Sequence, residues 1–350
     1  MGQSTVVTRI ALNEKFMALT FDDGSDSVNT LDILDTLDQF NVKCTFFITG
    51  ENATHHPESA KKILEQGHEI GNHSYNHPYL NQLTTDEIKT EIEDCKTAMM
   101  IATNTTVMPL FRPPYGEYNS TVLTVVDSIG YPWTIMWTID TIDWNGTPSD
   151  TMINKVLTNA KPGTIVLMHV SGTHTPEALP EMIEGLKSEG YTLTTISDML
   201  LHVTHPLLRI GATGEQVKNL QEILNKLGFN SGTIDGIFGN KTAAAVKAFQ
   251  TANGLTVDGI VGKNTWTAID KALLSPPPIA HPLLKTGSTG ESVKYLQYTL
   301  NKLGYSSGSI DGIFGNKTLA AVKTFQAANG LVADGIVGNK TWACIDKALG

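Results

Sequence analysis

Near its start the chain reads Lys15-Phe16-Met17-Ala18-Leu19-Thr20-Phe21-Asp22-Asp23-Gly24, a short apolar run that ends in two adjacent carboxylates. The run has the length and composition of a buried β-strand, which we expect over Lys15–Phe21. Five further runs have the same character: Cys44–Ile48, His68–Gly71, Trp133–Trp137, Thr164–His169 and Tyr191–Thr195. Amphipathic segments that predict helices lie between them: Asn29–Phe40, Pro57–Gln66, Thr85–Ala102, Ser120–Ile129, Ser149–Ala160 and Pro176–Glu189. This alternation predicts a parallel sheet or a β/α barrel.

Polar residues that can carry chemistry lie at the ends of apolar segments in five places. Active sites of β/α barrels collect where strands end and loops begin, so we expect these segments to converge. They are Asp22-Asp23, His73 with His77, Arg112-Pro113-Pro114-Tyr115, Asp140 with Asp143-Trp144, and Leu167-Met168-His169.

The types and spacing of these residues favour a metal-dependent active site. Two adjacent carboxylates repel each other unless positive charge lies beside them, and a metal ion supplies that charge. Two histidines four residues apart can bind the same ion together with one carboxylate, which leaves positions open for water and substrate. Taken singly, the histidine pair could be structural, the aspartates a solvated turn and His169 a core residue. Their occurrence together in one domain favours the metal site.

These five segments resemble the ordered motifs of the polysaccharide deacetylases of carbohydrate esterase family 4, over nearly all of residues 10–200. The resemblance implies an α/β fold, a distorted (β/α) barrel with about seven strands. It implies that Asp23, His73 and His77 hold one divalent metal, with zinc as the default and cobalt, nickel or iron as alternatives. Two departures from the usual pattern, Ser25 and Val170, affect loop shape and subsites.

The same resemblance implies a role for each remaining motif residue. Asp22 is the general base and Arg112 orients it, whereas His169 is the general acid and Asp143 keeps it charged. The backbone N–H of Tyr115 stabilises the oxyanion. Trp144 and Leu167 wall the pocket for the acetyl methyl group. Residues outside the motifs receive structural expectations: His55, His56, His68 and His174 as surface or supporting residues, and Cys44, Cys95 and Cys344 as buried free thiols.

The last 145 residues contain an internal repeat. Leu207–Leu273 and Leu283–Leu349 align without gaps at an offset of 76, and about 48 of 67 positions are identical. The pattern of each copy predicts three helices, and each copy resembles a peptidoglycan-binding domain. Phe249 and Trp266 are expected in the core of the first copy. We therefore expect a catalytic domain over 1–204, repeat 1 over 205–275, a proline-rich linker over 276–282 and repeat 2 over 283–350.

Charge and composition limit the kinds of molecule that the protein is expected to bind. Up to His205 there are 11 Lys and Arg against 26 Asp and Glu, whereas the remainder has 14 against 9. The acidic first part argues against nucleic acid, and no apolar run has the length of a membrane span. The first five residues have neither the basic cluster nor the apolar stretch of a signal peptide, so either a leader has been removed or export uses another route. The expected location is secreted or wall-associated.

The expected activity is removal of acetyl groups from N-acetylglucosamine in peptidoglycan by a monomer. Xylan O-deacetylation and chitin deacetylation stay open, because the same motifs serve all three. The repeats favour peptidoglycan, and the spelling of the Asp-Asp and Arg-Pro-Pro-Tyr motifs favours glucosamine over muramic acid. A two-histidine, one-carboxylate iron oxygenase and a non-catalytic wall adhesin are the other classes considered. The order of the metal ligands opposes the first, and the intact motifs oppose the second.

Overall fold

The structure, a computed structural model, describes residues 2–23, 27–203, 205–275 and 281–349. Its first part is an all-parallel sheet. The strands are β1 (Thr5–Val7), β2 (Phe16–Asp23), β3 (Thr45–Ile48), β4 (Glu69–Asn72), β5 (Leu110–Phe111), β6 (Trp133–Ile135), β7 (Ile139–Asp140), β8 (Ile165–His169) and β9 (Thr192–Leu193). They pair in the order β1-β6-β5-β4-β3-β2-β8-β7, and β9 also pairs with β2.

The sheet curls into a distorted barrel because β6 and β7 are nearly continuous in the chain. They lie at opposite sides of the strand order, yet only residues 136–138 separate them. A segment of that length spans at most about 14 Å, so the two sides of the sheet must approach each other. The backbone N–H of Met136 donates to Val7 on β1, and that of Thr138 donates to Ile165 on β8. One bent strand thus joins both sides, and the predicted barrel class is confirmed.

Helices pack around the sheet: α1 (Ser27–Gln39), α2 (Gly50–His55), α3 (Pro57–Glu65), α4 (Thr85–Thr103), α5 (Ser120–Ser128), α6 (Ser149–Asn159), α7 (Thr175–Ser188) and α8 (Ile196–Leu201). Helix α4 begins with a capping box, formed by Thr84 and Glu87. Along β2, the period of two places Met17, Leu19 and Phe21 in the large core cluster. The intervening Thr20 and Asp22 therefore face the other side of the strand, where the polar site lies.

The six predicted strands and six predicted helices of this part are all present, with ends shifted by up to two residues. Strands β1, β5 and β7 and helices α2 and α8 were not predicted from the sequence. Those three strands have two or three residues each, too few for a periodic pattern to develop. Residues Gly24 and Ser25, which belong to the first motif, lie outside the described residues.

Each repeat consists of three helices, as predicted: α9 (Glu215–Lys226), α10 (Asn240–Ala252) and α11 (Lys263–Leu274) in the first, and α12 (Glu291–Lys302), α13 (Asn316–Ala328) and α14 (Asn339–Leu349) in the second. Phe249 and Trp266 are buried in the core of repeat 1, also as predicted. The domain limits stay a prediction, and positions 204, 276–280 and 350 lie outside the described residues.

A histidine at the start of each repeat stacks on the tryptophan of its last helix. The sequence analysis did not predict this contact. His205 stacks on Trp266 with ring centroids 4.4 Å apart, and its Nε2 lies 3.0 Å from an Asp270 oxygen. In repeat 2, His281 stacks on Trp342 at 4.7 Å. His281 thus packs against repeat 2, although it falls within the predicted linker 276–282.

Both repeats contact the barrel. Met100 on α4 is buried within the core cluster of repeat 2, and Trp133 packs against that of repeat 1. Lys294 and Asp94 form an ion pair at 2.8 Å across the first of these contacts. None of the described helices combines the length and apolar character needed to cross a membrane.

Two minor expectations need correction. Cys44 and Cys95 are buried free thiols, but Cys344 is half-buried, because its position in repeat 2 lies at the edge of the core cluster. His68 is neither a surface nor a supporting residue of the site. It lies just before β4, 4% exposed, and its Nδ1 accepts from the backbone N–H of Cys44 at 3.1 Å. Burial lowers the pKa of His68 to about 4, so it is a neutral core histidine.

Candidate metal centre and active site

Strand register brings the five segments together. Asp22 lies opposite His169 of β8 in the parallel ladder, and Asp23 lies opposite Ile48 of β3. Ile48 in turn is opposite Asn72, the last residue of β4, so His73 begins the adjoining loop. Asn72 is also paired with Phe111, directly before Arg112. Asp140, the last residue of β7, lies opposite Leu167 of β8. The carboxyl ends of neighbouring strands therefore bring all five segments to one end of the barrel.

Asp23, His73 and His77 form a possible metal site. Their ligand atoms all lie within 4.8 Å of one another. The Nε2 atoms of His73 and His77 lie 3.6 and 3.5 Å from Oδ1 of Asp23. Two imidazole nitrogens and one carboxylate oxygen around a shared space suit a divalent transition metal that keeps positions open.

The hydrogen bonding of His73 prepares it as a ligand. Its Nδ1 lies 2.8 Å from the backbone oxygen of Arg112, which can only accept, so Nδ1 carries the proton. The Nε2 lone pair is then directed toward Asp23 and His77. Burial lowers the pKa of His73 to about 3, with the negative charge of Asp23 opposing that effect, so the ring is neutral at pH 7. A neutral ring with its other nitrogen hydrogen-bonded is the form that binds metals.

The backbone around the site has unusual conformations. Asp23, Ser74, His77 and Tyr115 all have positive φ, between 56° and 68°. Non-glycine residues rarely adopt this region, and such residues concentrate at functional sites where the surrounding structure holds them. Here the conformations turn side chains from separate loops toward one space.

Asp22 and Arg112 form a buried pair beside the possible metal site. Nη1 of Arg112 donates to Oδ1 of Asp22 at 2.5 Å and to Oγ1 of Thr20 at 2.9 Å. Nε donates to the backbone oxygen of Ile135, and the guanidinium lies over the ring of Phe47. Burial raises the pKa of Asp22, opposed by the positive charge of Arg112. The arginine is thus fixed on several sides, and it fixes the carboxylate.

His169 and Asp143 form the second pair. Oδ1 of Asp143 accepts from Nδ1 of His169 at 2.8 Å, and Oδ2 accepts from the backbone N–H of His169 at 2.6 Å. The hydroxyl of Thr175 donates to the same Oδ2. Burial lowers the pKa of His169, but the hydrogen bond from its ring to Asp143 and the charges of Asp22, Asp143 and Asp23 outweigh this and raise it to about 9. The imidazole is therefore protonated at neutral pH.

A cavity of about 360 Å³ joins Asp22 and His169 to the possible metal site. Tyr115, Trp144 and Leu167 line it, so every residue predicted for the site except buried Arg112 and Asp143 reaches its wall. Trp144 is 61% exposed and Leu167 is buried, which leaves one wall open and one apolar. Pro113 and Asp140, which belong to the five predicted segments but were given no role, also line the cavity, as do Gly116 and Trp137, which were not expected at the site.

The sequence analysis also missed the residues that support the site. Thr20 lies within the first motif, two positions before Asp22, and the alternation of a strand could have identified it as facing the same side. Thr175, Phe47 and Ile135 act from other elements, and no local pattern identifies them.

Comparison with known proteins agrees with this geometry. Residues 9–133 match the polysaccharide deacetylase family, and residues 213–269 and 289–345 each match a family of peptidoglycan-binding domains. A peptidoglycan-N-acetylglucosamine deacetylase of Bacillus cereus is 41% identical over 192 residues, which are 53% of this chain and 69% of that protein. A namesake from Listeria monocytogenes is 40% identical over 190 residues; these are 54% of this chain, but only 40% of that longer protein.

Among solved structures, a carbohydrate esterase family 4 pseudoenzyme from Bacillus anthracis superposes with a TM-score of 0.55 at 34% identity. The match covers 58% of this chain and 72% of that one. The fold alone therefore does not establish catalysis. An inference of catalysis has to rest on the side chains of the site.

Proposed function

The chain belongs to the polysaccharide deacetylase family, and on that premise we propose that it hydrolyses the acetamide groups of N-acetylglucosamine in peptidoglycan and releases acetate. The observation that carries this proposal is the shared cavity. It brings a possible metal site, a buried carboxylate and a protonated histidine within one space. The two peptidoglycan-binding repeats support the wall polymer as substrate. A secreted or wall-associated monomer is the form we propose.

Asp23, His73 and His77 would hold the divalent cation. When bound, the cation polarises the acetyl carbonyl and makes water more acidic. We propose zinc, since two nitrogens and one oxygen suit it, although cobalt, nickel and iron accept the same donors.

Asp22 accepts a proton from the attacking water. Its elevated pKa makes it a better proton acceptor near neutral pH than an exposed aspartate. Arg112 keeps Oδ1 occupied by a charge-assisted hydrogen bond, which leaves Oδ2 for the water. The carboxylate thus has a fixed direction as well as a suitable basicity.

His169 donates a proton to the amine that departs from the sugar. Its raised pKa supplies that proton at neutral pH, and Asp143 fixes the ring so that Nδ1 is engaged and Nε2 is free to donate. The backbone N–H of Tyr115 is proposed to stabilise the negative charge on the acetyl oxygen. Trp144 and Leu167 would enclose the acetyl methyl group.

Acetate release from three substrates, compared in parallel, tests the proposed function. We expect acetate from purified peptidoglycan, less from chitooligosaccharides and least from acetylated xylan. A chelator should abolish release, and zinc or cobalt should restore it. Acetate release from xylan alone would show that xylan, and not peptidoglycan, is the substrate. No acetate release with any metal would favour a non-catalytic wall adhesin.

Removal of the repeats should separate binding from catalysis. Deletion of residues 206–350 should preserve turnover of soluble oligosaccharides but weaken sedimentation with insoluble walls by about 100-fold, since linked modules add their binding energies. Deletion of 283–350 alone should give an intermediate result. Equal sedimentation of all three proteins would refute the anchoring role.

A further inference from the structure

The carboxylate of Glu91 on α4 accepts hydrogen bonds from the loop between the two histidines of the possible metal site. Its Oε2 accepts from the backbone N–H groups of Tyr75 and Asn76, at 3.0 and 2.9 Å. Its Oε1 accepts from the side-chain amide of Asn76 at 2.9 Å. One carboxylate therefore satisfies three donors from two consecutive residues that lie between His73 and His77.

This loop needs support because its backbone is strained. Ser74 and His77 both have positive φ, at 62° and 56°. Neutral contacts hold its two ends: the side-chain oxygen of Asn72 accepts from the Ser74 N–H, and Oγ of Ser74 accepts from the His77 N–H. In the middle of the loop, the backbone oxygens of Ser74 and Tyr75 accept from the first N–H groups of α2, and the N–H groups of Tyr75 and Asn76 donate to the carboxylate of Glu91. Hydrogen bonds to charged groups are the stronger kind.

The helix that carries Glu91 is itself rigidly placed. Ile88, Ile92 and Cys95 on α4 are fully buried. The side-chain amide of Asn72, directly before His73, donates to the backbone oxygen of Ile92 at 2.9 Å. Glu91 thus transmits the position of a packed helix to the loop.

We propose that Glu91 is a positioning residue for the metal centre, acting chiefly through His77. His73 is fixed independently, by the backbone oxygen of Arg112 and by burial. His77 is half-buried; its ring packs edge-on against those of His73 and Tyr115, and its backbone position depends on the course of the loop. Without Glu91 the loop relaxes, His77 occupies its ligand position for less of the time, and the affinity for the cation falls.

The test measures zinc affinity of the full-length protein by competition with a chelating dye, for Glu91→Gln, Glu91→Ala and the control Glu93→Gln. Glu93 lies on the same helix, away from the histidine loop, and forms an ion pair with Lys89 at the surface. We expect affinity to fall by about 10-fold to 100-fold in Glu91→Ala, as for other residues that support metal ligands, and less in Glu91→Gln, whose amide keeps one acceptor. The control should match the wild type. Excess zinc should restore most of the turnover.

This inference rests on the proposed metal site, and the experiment separates the two. A wild type that binds no zinc would contradict the proposed function. A wild type that binds zinc, with Glu91 variants of equal affinity, would overturn the role of Glu91 alone. An equal loss in Glu93→Gln, or lost turnover that excess zinc does not restore, would also overturn it. If Glu91→Ala does not fold, Glu91→Gln decides the question.

Discussion

Replacement of Asp22 with asparagine lowers kcat on chitooligosaccharide by about 10³-fold while the protein still binds its cation, because a general base contributes on this scale. The asparagine keeps the shape of the side chain and can still accept from Arg112, but it cannot take a proton from water. Turnover and metal content are measured on the same preparation. The expected result is full metal content with almost no activity.

The neighbouring aspartate supplies the matched comparison. Asp23→Asn removes a carboxylate one position away, but from the possible metal site, so it should lower metal affinity as well as activity. Excess metal should partly restore activity to Asp23→Asn and not to Asp22→Asn. If Asp22→Asn loses its metal, or if excess metal restores it, the proposed division of roles between the two aspartates is wrong.

Replacement of Asp143 with asparagine should lower kcat by about 10²-fold and change its pH dependence, because the general acid loses the group that keeps it charged and oriented. His169 acts in its protonated form, so activity is lost as pH rises through its pKa. This loss forms the alkaline limb of the pH profile of kcat, which in the wild type should lie no higher than about pH 9. Without the hydrogen bond and charge of Asp143, the pKa of His169 falls, and the limb moves toward neutral pH.

The pH profile of kcat distinguishes this role from a structural one. A variant that is merely less stable would lose activity without a shift of the limb. An alkaline limb at the same pH in Asp143→Asn and the wild type would show that Asp143 does not set the protonation of His169. Thr175, which donates to the same carboxylate, offers a milder comparison in Thr175→Val.

Asp22, Asp23, His73 and His169 were predictable because they lie at the ends of predicted strands, and the strand ends of a parallel barrel meet. The run that ends in Asp22-Asp23 and the run that ends in His169 are both readable from composition, and their register then makes the two ends neighbours. The resemblance to a known family added the assignment of roles. The structure brings Asp23, His73 and His77 together and pairs Asp22 with Arg112, whereas the roles of these residues stay predictions.

The supporting residues were less predictable because their contacts cross the fold. Glu91 reads as one more polar position on an amphipathic helix, and only the three-dimensional structure places it behind the histidine loop. Strand β7, with two residues, exists because β8 offers it a partner. The histidines that stack on the repeat tryptophans could have been predicted from the sequence, since His-Pro-Leu-Leu begins both copies. They lie two residues before the aligned ranges Leu207–Leu273 and Leu283–Leu349.

The central claim is that Asp23, His73 and His77 hold a single cation beside Asp22. The most direct test is a crystal structure of the zinc-loaded protein with anomalous scattering measured at the zinc edge. We expect one peak per chain at about 2.0–2.2 Å from an oxygen of Asp23 and from Nε2 of each histidine. An active protein whose peak lies elsewhere, or whose three side chains do not share an ion, would contradict the account.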